Sequence, residues 1–464
     1  MNRRSFLKKT GQFALALSLL PRKSRAQDAA DAQNIELVTV TDTSAVITWE
    51  SENPTEAVVL YGSAPDNLDQ QAIDPAGRTR FHRVELTNLD PGATVLYEVQ
   101  AEGITAENSE YSPGRFDTLA PPPGSLLYTF ATINDLHVGL TSAGAVGGLD
   151  SFEPVECPLV GKDCWELANR LVVEAINRTD AAFTVVKGDI SHEYKQEEFE
   201  AAQQILEGLK NPYHAVRGNH DRQGERPEDY FTKVFGLEKT HYSFSHRGMR
   251  FVILDSSNLE TGFPEINEEQ FDWLDSELRT LGSEKCLLVL HHAVTEEASI
   301  FFSLFTEDQQ RLFSRLSRNS NLVGILSGHS HRTLVTHQPE IGDVPCIETA
   351  CTVHYPGGYC LYRVYTGGFM QTYHKIDGED WRIWEEAGRA MYHDDAQNIL
   401  LGPLDHRNFV YRFDTLIKEP ETGGCSCGTK STGTGLAITA GALAARKLAS
   451  GSGRSSSSSP EGAK

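Results

Sequence analysis

Five apolar runs in this chain each end in an aspartate, an asparagine or a histidine. Leu126 to Ile133 runs into Asn134-Asp135-Leu136-His137, and Phe183 to Val186 into Lys187-Gly188-Asp189. Tyr213 to Val216 runs into Arg217-Gly218-Asn219-His220-Asp221, Leu287 to Leu290 into His291-His292, and Gly324 to Leu326 into Ser327-Gly328-His329-Ser330-His331. A single Asp or His after a strand is usually a turn residue or a cap. Repetition over five runs points instead to one shared site. Imidazole nitrogens mixed with carboxylate and amide oxygens suit transition metals of intermediate hardness. Asp135, His137, Asp189, Asn219, His291, His329 and His331 are too many ligands for one ion and suit two ions sharing a bridge.

The elements that must position these residues are readable around them. In α/β folds, ligand sites lie at the carboxyl ends of the strands, where loops converge. Gly188, Gly218 and Gly328 let the backbone turn sharply beside the polar residues. Further strands are expected at Arg250 to Leu254, Cys286 to Leu290 and Leu322 to Leu326. Asp163 to Arg178 carries Leu167, Leu171, Val172 and Ile176 on a helical period, and Glu197 to Leu209 is a second helix. Asn267-Glu268-Glu269-Gln270 and Thr306-Glu307-Asp308-Gln309 have the form of capping boxes. The alternation predicts an α/β domain over 125–417, its β-sheets sandwiched by helices. Whether there is one sheet or two is open.

At 464 residues the chain exceeds one usual core, and a second domain is expected ahead of this one. Residues 34–119 read as a small all-β sandwich, with alternation in Val46 to Trp49, Ala57 to Tyr61 and Val95 to Val99. Ala120-Pro121-Pro122-Pro123-Gly124 is a stiff linker at the boundary, 120–124. The long glycine-rich stretch 138–162 either shapes a pocket or is a loose loop.

The two ends differ from the middle. Residues 1–26, with Arg3-Arg4-Ser5-Phe6-Leu7-Lys8, a short apolar run and Ser24-Arg25-Ala26, have the form of a twin-arginine export signal. The twin-arginine export machinery is therefore an expected partner, and a periplasmic or secreted location is expected. The formal charge is −22, and cleavage after Ala26 would leave 35 basic against 64 acidic side chains, −29. Such a balance argues against general nucleic-acid binding. Eight cysteines in an exported chain permit disulfides, with Cys157 and Cys164 flanking a short loop. Residues 418–464 are a low-complexity tail in which Cys425 and Cys427 precede an apolar run too short to span a bilayer. The tail is either an anchor or a plain flexible end.

The five motifs run Asp-x-His, Gly-Asp, Gly-Asn-His-Asp, His and Gly-His-x-His, and in that order they resemble the calcineurin-like metallophosphoesterase family. The resemblance implies two divalent or trivalent ions (iron, manganese or zinc) and hydrolysis of phosphate esters by a hydroxide between them. It implies that Asp135, His137 and His331 hold one ion, that Asn219, His291 and His329 hold the other, and that Asp189 bridges them. His220 would face the phosphate as acid, and Asp221 would orient His220. The segment Leu89-Asp90-Pro91-Gly92 through Tyr97, with Trp49, resembles a fibronectin type III sandwich, whose corner tyrosine bonds the main chain, and the N-terminal domain of purple acid phosphatases. The catalytic motifs depart from those purple enzymes. Their metal-binding tyrosine lies three residues after the bridging aspartate, where this chain has His192, and His137 has no counterpart. A colourless site is implied.

Around these residues, His292 is either a support for the site or a packing residue, and Arg217 either a phosphate contact or an ion-pair partner. His192 and His354 sit in loops that either line the site or are exposed, and an ordinary exposed loop position is the preferred reading for each. The expected substrate is a small phosphorylated molecule, a diester slightly ahead of a monoester. Two other readings stand beside it: a non-catalytic surface-binding protein, and a phosphatase acting on phosphoserine.

Overall fold

The computed structural model describes residues 30–144, 152–295 and 303–417. The expected export signal, the centre of the glycine-rich stretch and the 418–464 tail lie outside the described residues. Among the described residues no helix is long and apolar enough to cross a membrane.

The N-terminal domain is a sandwich of two antiparallel sheets. Gln33–Val40, Ala45–Thr55 and Thr79–Leu86 make one; Gln70–Ile73, Ala57–Gly62, Thr94–Ala101 and Ile104–Thr105 make the other, with Arg115–Asp117 added to Thr94–Ala101. Burial alternates along Thr94–Ala101 as a period of two requires. The inward residues Trp49, Val59, Leu86, Tyr97 and Val99 share one core. Tyr97 ties its corner as expected. Its hydroxyl bonds the main chain at Gly114 and meets the buried Ser112 hydroxyl at 3.1 Å, and the Tyr97 amide donates to the Gly114 carbonyl at 3.0 Å.

The second domain has two six-stranded sheets packed face to face. The first runs Tyr213–Val216, Ala181–Lys187, Leu126–Ile133, Gly358–Tyr365, Gly368–Lys375, Phe409–Arg412. The second runs Tyr242–His246, Met249–Ile253, Lys285–Val289, Leu322–Ser327, Val344–Glu348, Leu334–Gln338. Phe130, Phe183, Val185, Phe251, Val289 and Tyr362 fill the space between them. Helices Cys164–Ile176, Gln196–Leu206 and Glu379–Gly388 cover the first sheet, and Glu268–Thr280 and Thr306–Leu316 the second. The result is the expected α/β architecture of β-sheets between helices.

The expected capping boxes divide. Asn267 caps its helix by accepting from the Gln270 amide at 3.0 Å. Thr306 does not, because the helix starts one residue earlier with Phe305 as its cap, and the Gln309 side chain is drawn to the Val294 carbonyl at 2.8 Å. Cys157 and Cys164 form a disulfide; Cys286, Cys346, Cys351 and Cys360 are free and buried.

The domain boundary is a fixed joint. Pro122 is buried and the Pro123 carbonyl accepts from the Gly367 amide at 3.1 Å, so the linker lies on the second domain. Thr39 donates to the Tyr373 carbonyl at 2.6 Å, and Arg407 to the Leu37 carbonyl at 2.9 Å. Beneath these, Glu36 is ion-paired to Lys375 and Arg389 with no exposure to solvent.

Candidate metal centre

The polar residues predicted from the sequence leave the central parallel strands at one common edge. Main-chain bonds stitch their loops together. Asp135, His137 and Val138 donate to the carbonyls of Gly188, Asp189 and Ile190 at 2.9 Å each, and the Gly328 amide donates to His291 at 3.0 Å. The turns are sharp enough to force left-handed backbone at Asp135 (φ 54°), His137 (38°), Asp189 (49°), His329 (74°) and His331 (59°). Asp and His tolerate this region better than most residues, yet each instance costs on the order of 1 kcal/mol or more and is characteristic of functional sites. Gly188, at φ 90°, could carry no side chain, since a Cβ would lie 2.4 Å from His291 Nδ1. A Cβ on Gly218 would lie 2.2 Å from Asp189 Oδ1.

Two nests result. In the first, Asp135, His137 and His331 bring ligand atoms together: His331 Nε2 lies 3.2 Å from Asp135 Oδ1 and 3.1 Å from His137 Nε2. In the second, Asp189, His291 and His329 converge, with His291 Nε2 3.1 Å from Asp189 Oδ2 and 3.2 Å from Asn219 Oδ1. Asp189 stands between them, its Oδ2 also 3.8 Å from His137 Nε2. All seven residues expected as ligands are thus brought together. His291 is oriented through Nδ1, 2.8 Å from the Lys187 carbonyl.

Burial works against charge on Asp135 and Asp189, but the facing imidazoles (His331 for Asp135, His291 and His220 for Asp189) hold both carboxyls well below their usual range. Burial likewise opposes charge on His291, and Asp189 and Asp135 overcome it, pushing this histidine up to about 9. His329 goes the other way, down to about 3, because burial is reinforced by the neighbouring His291.

His220 projects beside the nests, its ring centroid 4.8 Å from that of His137 and its amide on Asp189 Oδ1 at 2.8 Å. Asp221 does not orient it, which corrects the role expected for that residue. The Asp221 carboxylate is turned inward and accepts the amides of Ile190, Ser191 and Gly218 at 2.8–3.1 Å, tying two of the loops together. The His192 carbonyl takes over, 2.7 Å from His220 Nδ1. Burial, with Asp189 adding to it, raises the Asp221 carboxyl to about 7 against those main-chain donors.

His192 and His354 are corrected from exposed loop positions to the wall of the site. The His192 ring stacks on His220 at 5.6 Å, with Nδ1 3.4 Å from His137 Nδ1. His354 is buried, with Nε2 2.8 Å from His331 Nδ1. His354 follows the strand Val344–Glu348, a sixth run reaching the same edge; Pro345 within it hid that signal. His292 is a support, its Nδ1 2.9 Å from Ser256 Oγ and its ring against His329. Arg217 is an ion-pair partner, buried between Asp229 and Asp255.

The donor set fits two metal ions on an observation of its own. Asp135 Oδ1 is buried without a hydrogen-bond partner, and two imidazole nitrogens, His137 Nε2 and His331 Nε2, face each other across 3.1 Å beside it. A buried carboxylate oxygen without a donor is costly unless a cation meets it.

Comparison with known proteins agrees with this geometry. Residues 128–333 match the family described as calcineurin-like phosphoesterase, and residues 31–114 the purple acid phosphatase N-terminal domain. A 3',5'-cyclic-nucleotide phosphodiesterase of Nostoc sp. is 26% identical over 205 residues, 44% of this chain and 71% of that protein. A serine/threonine-protein phosphatase of Bos taurus is 28% identical over 43% of this chain and 67% of its own length. A glycerophosphodiester phosphodiesterase of Enterobacter lignolyticus is 27% identical over 40% and 68%. Among solved structures, a dimetal phosphatase from Danio rerio aligns with 15% identity and a TM-score of 0.45, covering 55% of this chain and 98% of that one. The chain carries a calcineurin-like phosphoesterase domain behind a purple acid phosphatase N-terminal domain. It is a metal-dependent phosphoric ester hydrolase.

Proposed function

We propose that this hydrolase is exported and acts on phosphodiesters in preference to monoesters. The observation that carries the reading is the pair of nests sharing Asp189, with His220 held beside them. Asp135, His137 and His331 would hold one ion and Asn219, His291 and His329 the other, with Asp189 common to both. Ions of the iron, manganese or zinc kind supply Lewis acidity towards phosphate oxygens and a nucleophilic water near neutral pH.

The chain's own residues do the rest. The Lys187 carbonyl can only accept, so His291 carries its proton on Nδ1 and presents Nε2 to the nest. Asp189 Oδ1 is occupied by the His220 amide, which turns Oδ2 towards both nests. His220 keeps a proton on Nδ1 for the His192 carbonyl, which leaves Nε2 for the substrate side; as the imidazolium it would give its Nε2 proton to the departing ester oxygen and end as the neutral Nδ1–H ring. No side chain has to form a bond to phosphorus.

Two of the relatives described above are named as phosphodiesterases, which supports the diester preference. The phosphatase from Bos taurus supports a monoester alternative. Export rests on the Arg3-Arg4 leader, and the Cys157–Cys164 disulfide suits an oxidising compartment. The test compares hydrolysis of bis-p-nitrophenyl phosphate and p-nitrophenyl phosphate after loading with manganese, iron or zinc, using Asp189→Asn as control. Diester turnover lost in the control supports the reading; turnover of the monoester alone makes the protein a phosphatase. Failure to bind metal removes the reading altogether.

A further inference from the structure

His331 uses both ring nitrogens. Nε2 faces Asp135 Oδ1 and His137 Nε2, so this is the metal side. Nδ1 lies 2.8 Å from His354 Nε2. His354 Nδ1 in turn lies 2.9 Å from the Tyr355 carbonyl, which can only accept, so the His354 proton sits on Nδ1. Its Nε2 then has a lone pair for the His331 Nδ1 proton, which leaves the His331 Nε2 lone pair aimed into the nest.

The loop that carries His354 is held from three sides. The Thr352 amide donates to Asn134 at 3.0 Å, Trp384 Nε1 to the Val353 carbonyl at 2.9 Å, and the Tyr355 hydroxyl to Glu36 Oε1 at 2.7 Å. Glu36 belongs to the sandwich, on the strand Gln33–Val40. Arg389 and Gln397 donate to the same Glu36 oxygen at 2.7 Å each, so that oxygen has little freedom to move. An unbroken set of bonds therefore runs from the sandwich through Tyr355 and His354 to a candidate metal ligand.

We propose that His354 is the positioning residue of the first nest, fixing the tautomer and ring angle of His331, and that the sandwich fixes His354 through Glu36 and Tyr355. The proposal rests on the metal-binding reading of the nests. It makes the N-terminal domain part of the frame of the metal centre rather than an appended module.

The test uses the full chain, stripped of metal and titrated with manganese by calorimetry and with cobalt(II) by absorption, so that two binding steps are followed. His354→Phe keeps a ring but removes the acceptor, and it should weaken one step by about 10–100-fold while the other stays near wild type. His354→Gln returns an acceptor near the Nε2 position and should recover most of that loss. Tyr355→Phe removes the hydroxyl that bonds Glu36 and Arg389, leaves the Tyr355 carbonyl on His354, and should weaken the same step by less than about tenfold. Unchanged binding in His354→Phe, or equal losses in the Phe and Gln variants, overturns the proposal. Should His354→Phe not fold, Tyr355→Phe decides: a weakened single step supports the relay and wild-type binding overturns it. A wild-type chain that binds fewer than two ions defeats the dinuclear reading itself, which is a separate failure.

Discussion

Two of the clusters of buried charge among the described residues are built differently. At the joint between the domains, Glu36, Glu385 and Glu386 face Lys375, Arg382 and Arg389, three carboxylates against three cations. At the sheet ends, Asp135 and Asp189 face imidazoles, and the buried Lys187 ammonium is spent on the Ser327 carbonyl and Thr349 Oγ1. The first cluster neutralises itself. In the second, Asp189 and Asp135 push His291 up to about 9 against the effect of burial, and its charge offsets one of the two carboxylates. A buried cluster that is complete holds structure; one short of cations is a place for ions from solution.

The largest expected effect breaks the second cluster at its hub. Asp189→Asn should reduce hydrolysis to background and weaken both metal-binding steps, while far-UV circular dichroism of the metal-free protein stays native. His220→Ala should lower kcat by about 10²–10⁴-fold with both ions still bound, because it removes a proton donor and no ligand. Steady-state kinetics beside metal analysis checks this.

The first cluster should answer to stability instead. Glu36→Gln leaves Lys375 and Arg389 buried without their full counter-charge and should cost about 3–5 kcal/mol in denaturant unfolding. The two clusters also separate under metal removal. Adding metal at a hundredfold excess over Kd should stabilise the wild type by about 2.7 kcal/mol per site and Asp189→Asn by much less. Glu36→Gln should retain most of the gain.

The smallest effect uses imidazoles that belong to neither cluster. Burial, with His246 adding to it, lowers His214 to about 3; burial with Arg83 does the same to His374. Their folded-state values lie below the unfolded value of about 6.5, so their contribution is complete above that pH and is lost as pH falls towards 3. Each should cost about 2 kcal/mol between pH 6.5 and 5, and His214→Phe should remove its share of that loss. Unfolding curves at the two pH values measure it.

The central strands were legible because they are continuous apolar runs buried on both faces and ending in chemistry, as at Ala181–Lys187 and Lys285–Val289. The flanking antiparallel strands were not. Gly358–Tyr365 and Gly368–Lys375 mix glycine, charge and aromatics, and they join the first sheet by pairing with each other, with Leu126–Ile133 and with Phe409–Arg412. The same limit separates the ligands from their supports. Asp135, His137, Asp189, Asn219, His291, His329 and His331 announce themselves by position after a strand, whereas His192 and His354 matter only because of where their loops land.

The order of strand ends and the residue types at each, and with them the donor set of the candidate site, can be read along the chain, since a ligand's nature and its place after a strand are local properties. Which carbonyl fixes His220, that Asp221 serves the main chain, and that Glu36, nearly three hundred residues away in sequence, stands behind His331 all depend on the closed fold. Those are long-range partnerships. A side chain's partner across the core depends on how the layers close, and no local pattern encodes it.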